Sequence, residues 1–396
     1  MRAFLKVMSY VITALLAASI TLVACSAAFL MRGDTTTNPA KLPSGYSKLE
    51  ELKALIQEQY VGDADATAME DAAAAAMVEA IDDRWSYYIS AADYQDYLDD
   101  MANAYVGIGI TIQVRDDLGG YLITQVNSTG PAHEAGLLPG DIMVKVGGVD
   151  IREMTTDETA TLVKGEEGTY VDITVIREGE EITLSVERRR VQVEVISYEL
   201  LDGHVGYVKI SNFHTGCADA AKEAIGELTD RGADCFIFDV RNNGGGYVSE
   251  LVPLLDYLLP EGPLFRTVNY SGKESIDYSD KDCLDLPMVV LANVNSYSAA
   301  EFFAAALVEY EAAVFVGEQT TGKGRYQVCT RLKDGSAVNL SIGEYFTPNG
   351  NNLADIGLTP DVPVAVDEET FLAIYAGTLD AMEDPQIRAA LEILNK

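Results

Sequence analysis

Three loops hold the residues whose types and spacing could do covalent chemistry. The first is Asn293-Val294-Asn295-Ser296-Tyr297-Ser298-Ala299-Ala300-Glu301, between the apolar run Met288–Ala292 and a helical stretch. Ser298 would stand at a helix N-terminus, where free N–H groups and the helix dipole favour a developing negative charge. A serine there can be a nucleophile or a cap, because Ser298 and Glu301 also have the spacing of a capping box. The second loop, Gly317-Glu318-Gln319-Thr320-Thr321-Gly322-Lys323-Gly324, nearly matches the phosphate-binding pattern in which Gly-Lys is followed by Ser or Thr. Gly324 stands where the magnesium-binding hydroxyl belongs, which argues against a nucleotide site. A lysine between two glycines behind a buried strand can instead be confined. Burial disfavours the ammonium and brings its pKa from about 10.4 toward neutrality, as a general base needs. The third loop is Asp239-Val240-Arg241-Asn242-Asn243-Gly244-Gly245-Gly246, directly after Phe236-Ile237-Phe238. Three consecutive glycines let backbone N–H groups approach a ligand closely, as in an oxyanion hole, and an ordinary strand-to-helix turn uses the same residue type.

The three histidines, His133, His204 and His214, lie outside these loops, and neither HExxH nor GxSxG occurs. A Ser–His–Asp triad is therefore poorly supported, and a serine nucleophile would need Lys323 as its base. The five cysteines, at 25, 217, 235, 283 and 329, form no CxxC and no close Cys/His pair, so spacing indicates neither zinc nor a disulfide framework. No metal or cofactor is expected.

The elements that must position the loops read as a multidomain α/β chain. Residues 1–32 form a membrane anchor or signal segment, and 33–46 a polar tether. Residues 47–103 form a helical region with helices expected at Thr67–Ile81 and Ser90–Met101. A β domain of short strands with Gly-rich turns follows over 104–189, then an α/β core over 190–366 and a helical segment over 367–396. In the core, the apolar runs Val205–Ile210, Cys235–Val240, Met288–Ala292 and Val314–Val316 alternate with helical stretches, the pattern of a mostly parallel buried sheet. Loops after such strands share one sheet edge.

The formal charge of −34, from 28 basic and 62 acidic residues, disfavours nucleic acid as a partner. Arg2 and Lys6 precede an uncharged apolar run from Val7 to Met31, long enough as a helix to cross the roughly 30 Å hydrocarbon core. Basic residues before the run and acidic chain after Arg32 favour a cytoplasmic N-terminus and an extracytoplasmic body on a single-pass anchor. A cleaved signal peptide and a lipoprotein modified at Cys25, in Leu22-Val23-Ala24-Cys25, are the competing fates.

Taken in order, these residues resemble the C-terminal processing (tail-specific) peptidases, exported or membrane-associated serine peptidases with a PDZ domain and a Ser–Lys dyad. The likeness runs through Asp83-Arg84-Trp85-Ser86-Tyr87-Tyr88, Gly107-Ile108-Gly109-Ile110, Pro131 to Asp141, Gly206 to Ile210, Asp239 to Gly246, Ser296 to Glu301, Gly322-Lys323-Gly324 and Gly357 to Asp361. It implies a ClpP/crotonase-like core with Ser298 as nucleophile, Lys323 as base and Gln327 orienting the lysine. It also implies an oxyanion hole from the backbone N–H groups of Gly245 or Gly246 and of Ala299. Gly107, Ile108, Gly109 and Ile110 would form the loop that captures a C-terminal carboxylate, with the tail added as an extra strand. Two positions depart from the family pattern: Tyr297 stands where a small residue is usual and Gly244 where Pro is common. The expected partners are protein or peptide tails; homodimerisation through the terminal helices and a latent resting state are implied as well. The rival reading is a catalytically inactive PDZ scaffold that binds tails without cutting them.

Overall fold

Alternation of apolar side chains along short buried strands sets the layers of the core. In the computed structural model, which describes residues 46–115, 119–202 and 204–395, six strands form one sheet. Their spatial order is Ile196–Leu201, Val205–Ile210, Cys235–Asp239, Met288–Ala292, Ala313–Gly317 and Val362–Pro363. The first pair is antiparallel and every later pair parallel, as the βαβ spacing requires. Successive side chains point to opposite faces. Val208, Phe236, Phe238, Val290 and Phe315 therefore pack on the helices Cys217–Asp230, Val248–Leu258 and Ala299–Glu309. Tyr207, Ile237, Val289, Leu291 and Val316 pack on the opposite layer with Ile387, Ala390 and Leu391 of the helix Pro385–Leu394.

Arg241 fastens that last helix to the Asp239–Gly246 loop. Its buried guanidinium bonds Asp239, Asp384 (2.7 Å) and Gln386 (2.8 Å), while Tyr207 donates to Asp239 (2.7 Å).

A second, antiparallel sheet was not anticipated within the span 190–366. The strand Ala337–Phe346 pairs with Arg325–Arg331, with Gly262–Asn269 and with Tyr87–Ile89; Glu274–Ser279 extends it. Its strands mix exposed and half-buried positions, so none carries the continuous apolar run that marks the first sheet. Tyr87–Ile89 lies in the span read as helical region. The helix expected from Ser90 begins at Tyr94, because Ser90 starts a turn in which its hydroxyl donates to Asp93 (2.6 Å) and its carbonyl accepts from the Tyr94 N–H.

The β domain is an antiparallel sheet in the order Ile110–Arg115, Gly120–Val126, Ile142–Val146, Tyr170–Arg177, Glu180–Glu187, with short helices Pro131–Ala135 and Thr156–Val163. Its core holds Ile108, Ile123, Leu137, Met143, Ile173 and Val186. The ribbon of Ala104–Gly107 with Arg189–Gln192 closes its base.

By internal contacts the chain divides at Ala74 into two units. In the first, the helix Tyr46–Gln59 exposes Leu49, Leu52 and Leu55, and Lys53 pairs with Glu70. Among the described residues no helix is long and apolar enough to cross a membrane; the expected span, residues 1–32, lies outside them, as does Cys25.

Candidate active site

The three loops follow the carboxyl ends of Cys235–Asp239, Met288–Ala292 and Ala313–Gly317, and side-chain amides staple them together. Asn242 Oδ1 accepts from Asn293 and Asn295 (both 3.0 Å), and Asn293 Oδ1 accepts from the Asn242 N–H (3.0 Å). Ser296 donates to the Val240 carbonyl (2.7 Å), and the Thr321 N–H reaches the Ser296 carbonyl (3.2 Å).

Ser298 initiates the helix Ala299–Glu309 with φ 59° and ψ −125°. A positive φ on a residue with a Cβ costs of order 1–3 kcal/mol and persists only where the surroundings impose it. The conformation turns the hydroxyl away from the helix: Ser298 makes no side-chain cap. The capping-box alternative therefore fails, and the hydroxyl instead contacts the phenol of Tyr345. Ser298, Lys323 and Gln327 open into one cavity of about 980 Å³ walled by Trp85, Tyr97, Tyr247 and Tyr297.

Glu301, the partner expected for that cap, does something else. Fully buried, its carboxylate accepts from the N–H groups of Gly322 (2.8 Å) and Lys323 (2.9 Å) and from the Thr320 hydroxyl. It clamps the loop that carries Lys323. Tyr345, whose hydroxyl burial holds well above its ordinary pKa, donates to the Lys323 carbonyl from the other side.

Lys323 is 9% exposed. Desolvation lowers its pKa to about 8; the Asp83 charge opposes the shift, Arg84 adds to it and Glu301 opposes it. Its Nζ lies 4.6 Å from the centre of the Trp85 ring and 5.9 Å from that of Tyr297.

Gln327 shares the cavity, and its amide nitrogen donates to the Arg325 carbonyl (3.0 Å) and the Ser341 hydroxyl (2.9 Å). The Gly245 N–H is likewise engaged, donating to Asn243 Oδ1 (2.8 Å). Gly245, at φ 89°, is pressed so closely on Ser298 that a Cβ there would lie 2.7 Å from Ser298 Cβ and 2.8 Å from the Ala299 nitrogen. Glycine at 245 thus keeps the space in front of the Ala299 N–H open, and Gly246 (φ 150°) packs as closely on the Phe213 backbone. The two departures from the family pattern compensate each other. A Cβ on Gly244 would come within 2.7 Å of the Tyr297 hydroxyl, so the large residue at 297 occupies space that a side chain at 244 would need.

His214, read from sequence as outside the loops, lines the same cavity; its Nδ1 is 2.9 Å from the Asp100 carbonyl oxygen. Sequence reasoning also missed Glu301 as a clamp, Asn243 and Tyr345. The potential metal-ligand cluster His204, Asp234 and Cys235 sits at the amino ends of its strands, opposite the edge that carries the three loops, and burial pushes the Cys235 thiol up to about 11.

In the β domain, Ile110–Arg115 is an edge strand, open to addition of a peptide. Gly109 has φ 79°, and Ile108 is buried with its carbonyl accepting the Ala132 N–H (2.9 Å). Tyr105 folds its ring over Gly107, with its hydroxyl toward the Gly109 N–H. The loop expected to receive a carboxylate is thus partly occupied by the protein's own phenol.

A family model described as Peptidase family S41 matches residues 204–364, and one described as a PDZ domain matches residues 106–187. The carboxy-terminal processing protease CtpA of Bacillus subtilis (strain 168) is 30% identical over 355 residues, spanning 89% of this chain and 75% of that protein. The carboxyl-terminal-processing protease of Synechocystis sp. is 31% identical over 295 residues, 73% of this chain and 68% of that one. A crystal structure described as an S41 protease of Bacteroides fragilis superposes with a TM-score of 0.54 over 87% of this chain and 97% of that chain, at 19% identity, a likeness of fold. With sequence identity extending across both the β domain and the core, this chain belongs to the carboxy-terminal processing proteases and is a serine-type peptidase carrying a PDZ domain.

Proposed function

We propose that this peptidase is extracytoplasmic, holds the C-terminal tail of a protein along Ile110–Arg115 and cuts the polypeptide with a Ser298–Lys323 dyad. The observation that carries the reading is a buried lysine with its pKa near 8, in one cavity with a serine whose backbone is held at positive φ and whose side chain does not cap its helix. The neutral amine of Lys323 takes the Ser298 proton as Oγ attacks the scissile carbonyl. The Ala299 N–H, with Gly246, stabilises the oxyanion at the dipole-positive helix end. Lys323 then gives the proton to the leaving amine, and water hydrolyses the acyl-enzyme.

The engaged amides of Gln327 and Gly245 and the phenol in the carboxylate loop support a resting state that substrate rearranges. Anchoring through residues 1–32 rests on their charge and length, with Cys25 lipidation or signal cleavage as alternatives. Exposed Leu49 and Leu52 on the first helix, and Leu372 and Tyr375 on Glu368–Ala376, favour a homodimer through the terminal helices.

The test is cleavage of an unstructured protein by the enzyme and its variants. Ser298→Ala and Lys323→Ala should each abolish fragment formation. In the parent enzyme kcat/KM should rise through pH 8, gaining roughly tenfold between pH 7 and 9 as the amine loses its proton. Retained cleavage by Lys323→Ala, with loss in His214→Ala, would sink the dyad.

A further inference from the structure

With Gln327 turned to Ser341, the group that faces the Lys323 amine is an indole. Trp85 precedes the PDZ domain in sequence yet returns to the core, because Tyr87–Ile89 adds as a strand to Ala337–Asn339. Four further bonds fix the strap. Asp83 accepts from the Trp85 N–H (3.2 Å) and the Ser86 hydroxyl (2.7 Å), Ser86 Oγ accepts the Ser341 N–H (3.0 Å), and Asn339 donates to the Trp85 carbonyl (3.4 Å). The indole tilts against Tyr297, the residue beside the nucleophile, with ring centres 5.3 Å apart. The Arg84 guanidinium lies 4.3 Å from the same ring.

An ammonium is attracted to an aromatic face and loses water there, while its flexible four-carbon stem loses freedom. We propose that Trp85 is a positioning residue for the general base: its indole face, backed by Tyr297, holds the Lys323 amine in the cavity beside Ser298 and keeps water from it, and Arg84 on the same ring adds a charge that opposes protonation. The inference rests on the Ser298–Lys323 reading. It gives the Asp83–Ile89 segment a task that the PDZ domain and the core do not perform alone.

The charged and titratable groups facing the amine are Asp83 and Arg84 from the strap, Glu301 from the helix Ala299–Glu309, and the phenols of Tyr297 and Tyr345. Asp83, Glu301 and the indole face favour the ammonium, desolvation and Arg84 the neutral amine, and desolvation is the largest of the burial and charge effects. Opening the site to water must therefore move the kcat/KM midpoint to higher pH, and so must neutralising Arg84.

The experiment measures pH profiles of kcat and KM for the full chain on an unstructured protein, with Trp85→Phe, Trp85→Ala and Arg84→Gln beside Ser298→Ala and Lys323→Ala. Trp85→Phe should keep the parent midpoint and most of kcat. Trp85→Ala should shift the midpoint up by about one unit, a roughly tenfold loss at pH 7 that narrows at pH 9, with KM changed less than kcat. Arg84 is exposed, so Arg84→Gln tests the charge without endangering the fold; its midpoint should also rise. Equal losses for Trp85→Ala and Trp85→Phe at every pH, or an unmoved midpoint in both Trp85→Ala and Arg84→Gln, would overturn the inference while leaving the dyad intact. Cleavage by Ser298→Ala or Lys323→Ala would instead remove the dyad on which it rests.

Discussion

Glu301→Gln separates the two meanings of the Ser298–Glu301 spacing. A capping box accepts Gln as readily as Glu, so a capping role predicts a near-neutral substitution. The clamp predicts otherwise. The carboxylate offers acceptors to three donors, with the Gly322 N–H on one oxygen and the Lys323 N–H on the other. A glutamine has a single acceptor oxygen, so its NH2 must face one of those N–H groups. Leaving one buried donor unsatisfied costs about 1–3 kcal/mol, and the bonds that remain lose their charge assistance, about 1 kcal/mol each. Relief of the desolvation that raises the Glu301 pKa offsets part of this, leaving a net loss of about 3 kcal/mol. Expressed as loss of the competent loop, that is on the order of 10²-fold in kcat. A second readout has a definite sign. The Glu301 charge raises the Lys323 pKa, so its removal should move the kcat/KM midpoint below 8, opposite to the shift in Arg84→Gln. Urea unfolding together with the pH profile gives both quantities. Wild-type stability and an unmoved midpoint in Glu301→Gln would refute the clamp.

Two further outcomes follow from buried contacts. Tyr105→Phe should strengthen binding of a peptide with a free C-terminal carboxylate about fivefold, the worth of one hydrogen bond of about 1 kcal/mol that the tail no longer displaces; fluorescence anisotropy with free and amidated tails checks it, and equal gains for both would exclude a carboxylate effect. Arg241→Ala should destabilise the core by about 3–5 kcal/mol, because Asp239 and Asp384 would be left as buried acids without their cation, and denaturant unfolding should show the loss.

The strands of the parallel sheet were legible because each is a continuous apolar run buried on both faces, and the three loops could then be placed on one edge. The antiparallel sheet was not, since its strands carry polar and apolar residues without a continuous run. Trp85 was visible as part of a motif but not as a neighbour of Lys323: the contact depends on Tyr87–Ile89 pairing with Ala337–Asn339, and no local pattern specifies that register. The Gly107–Ile110 loop reads as a carboxylate site in sequence, whereas the approach of the Tyr105 phenol to it depends on how the ring folds over Gly107.

The limit of sequence reading is clearest where one spacing has two outcomes. Thr155 and Glu158 have the same separation as Ser298 and Glu301, and they do form a reciprocal capping box on Thr156–Val163. Thr155 sits at φ −75° and ψ 163°, the extended geometry that aims a hydroxyl at the third N–H of the helix. Ser298, at φ 59°, cannot aim it there, and Glu301 is released to hold the lysine loop. The difference is imposed from outside the pair. Asn243 accepts the Tyr297 N–H through its carbonyl (3.2 Å), and Gly245 fills the space against Ser298 that any larger residue would contest. The close packing of Gly245 on Ser298 thus goes together with the positive φ that takes the serine out of a capping role and leaves its hydroxyl in the cavity with Lys323.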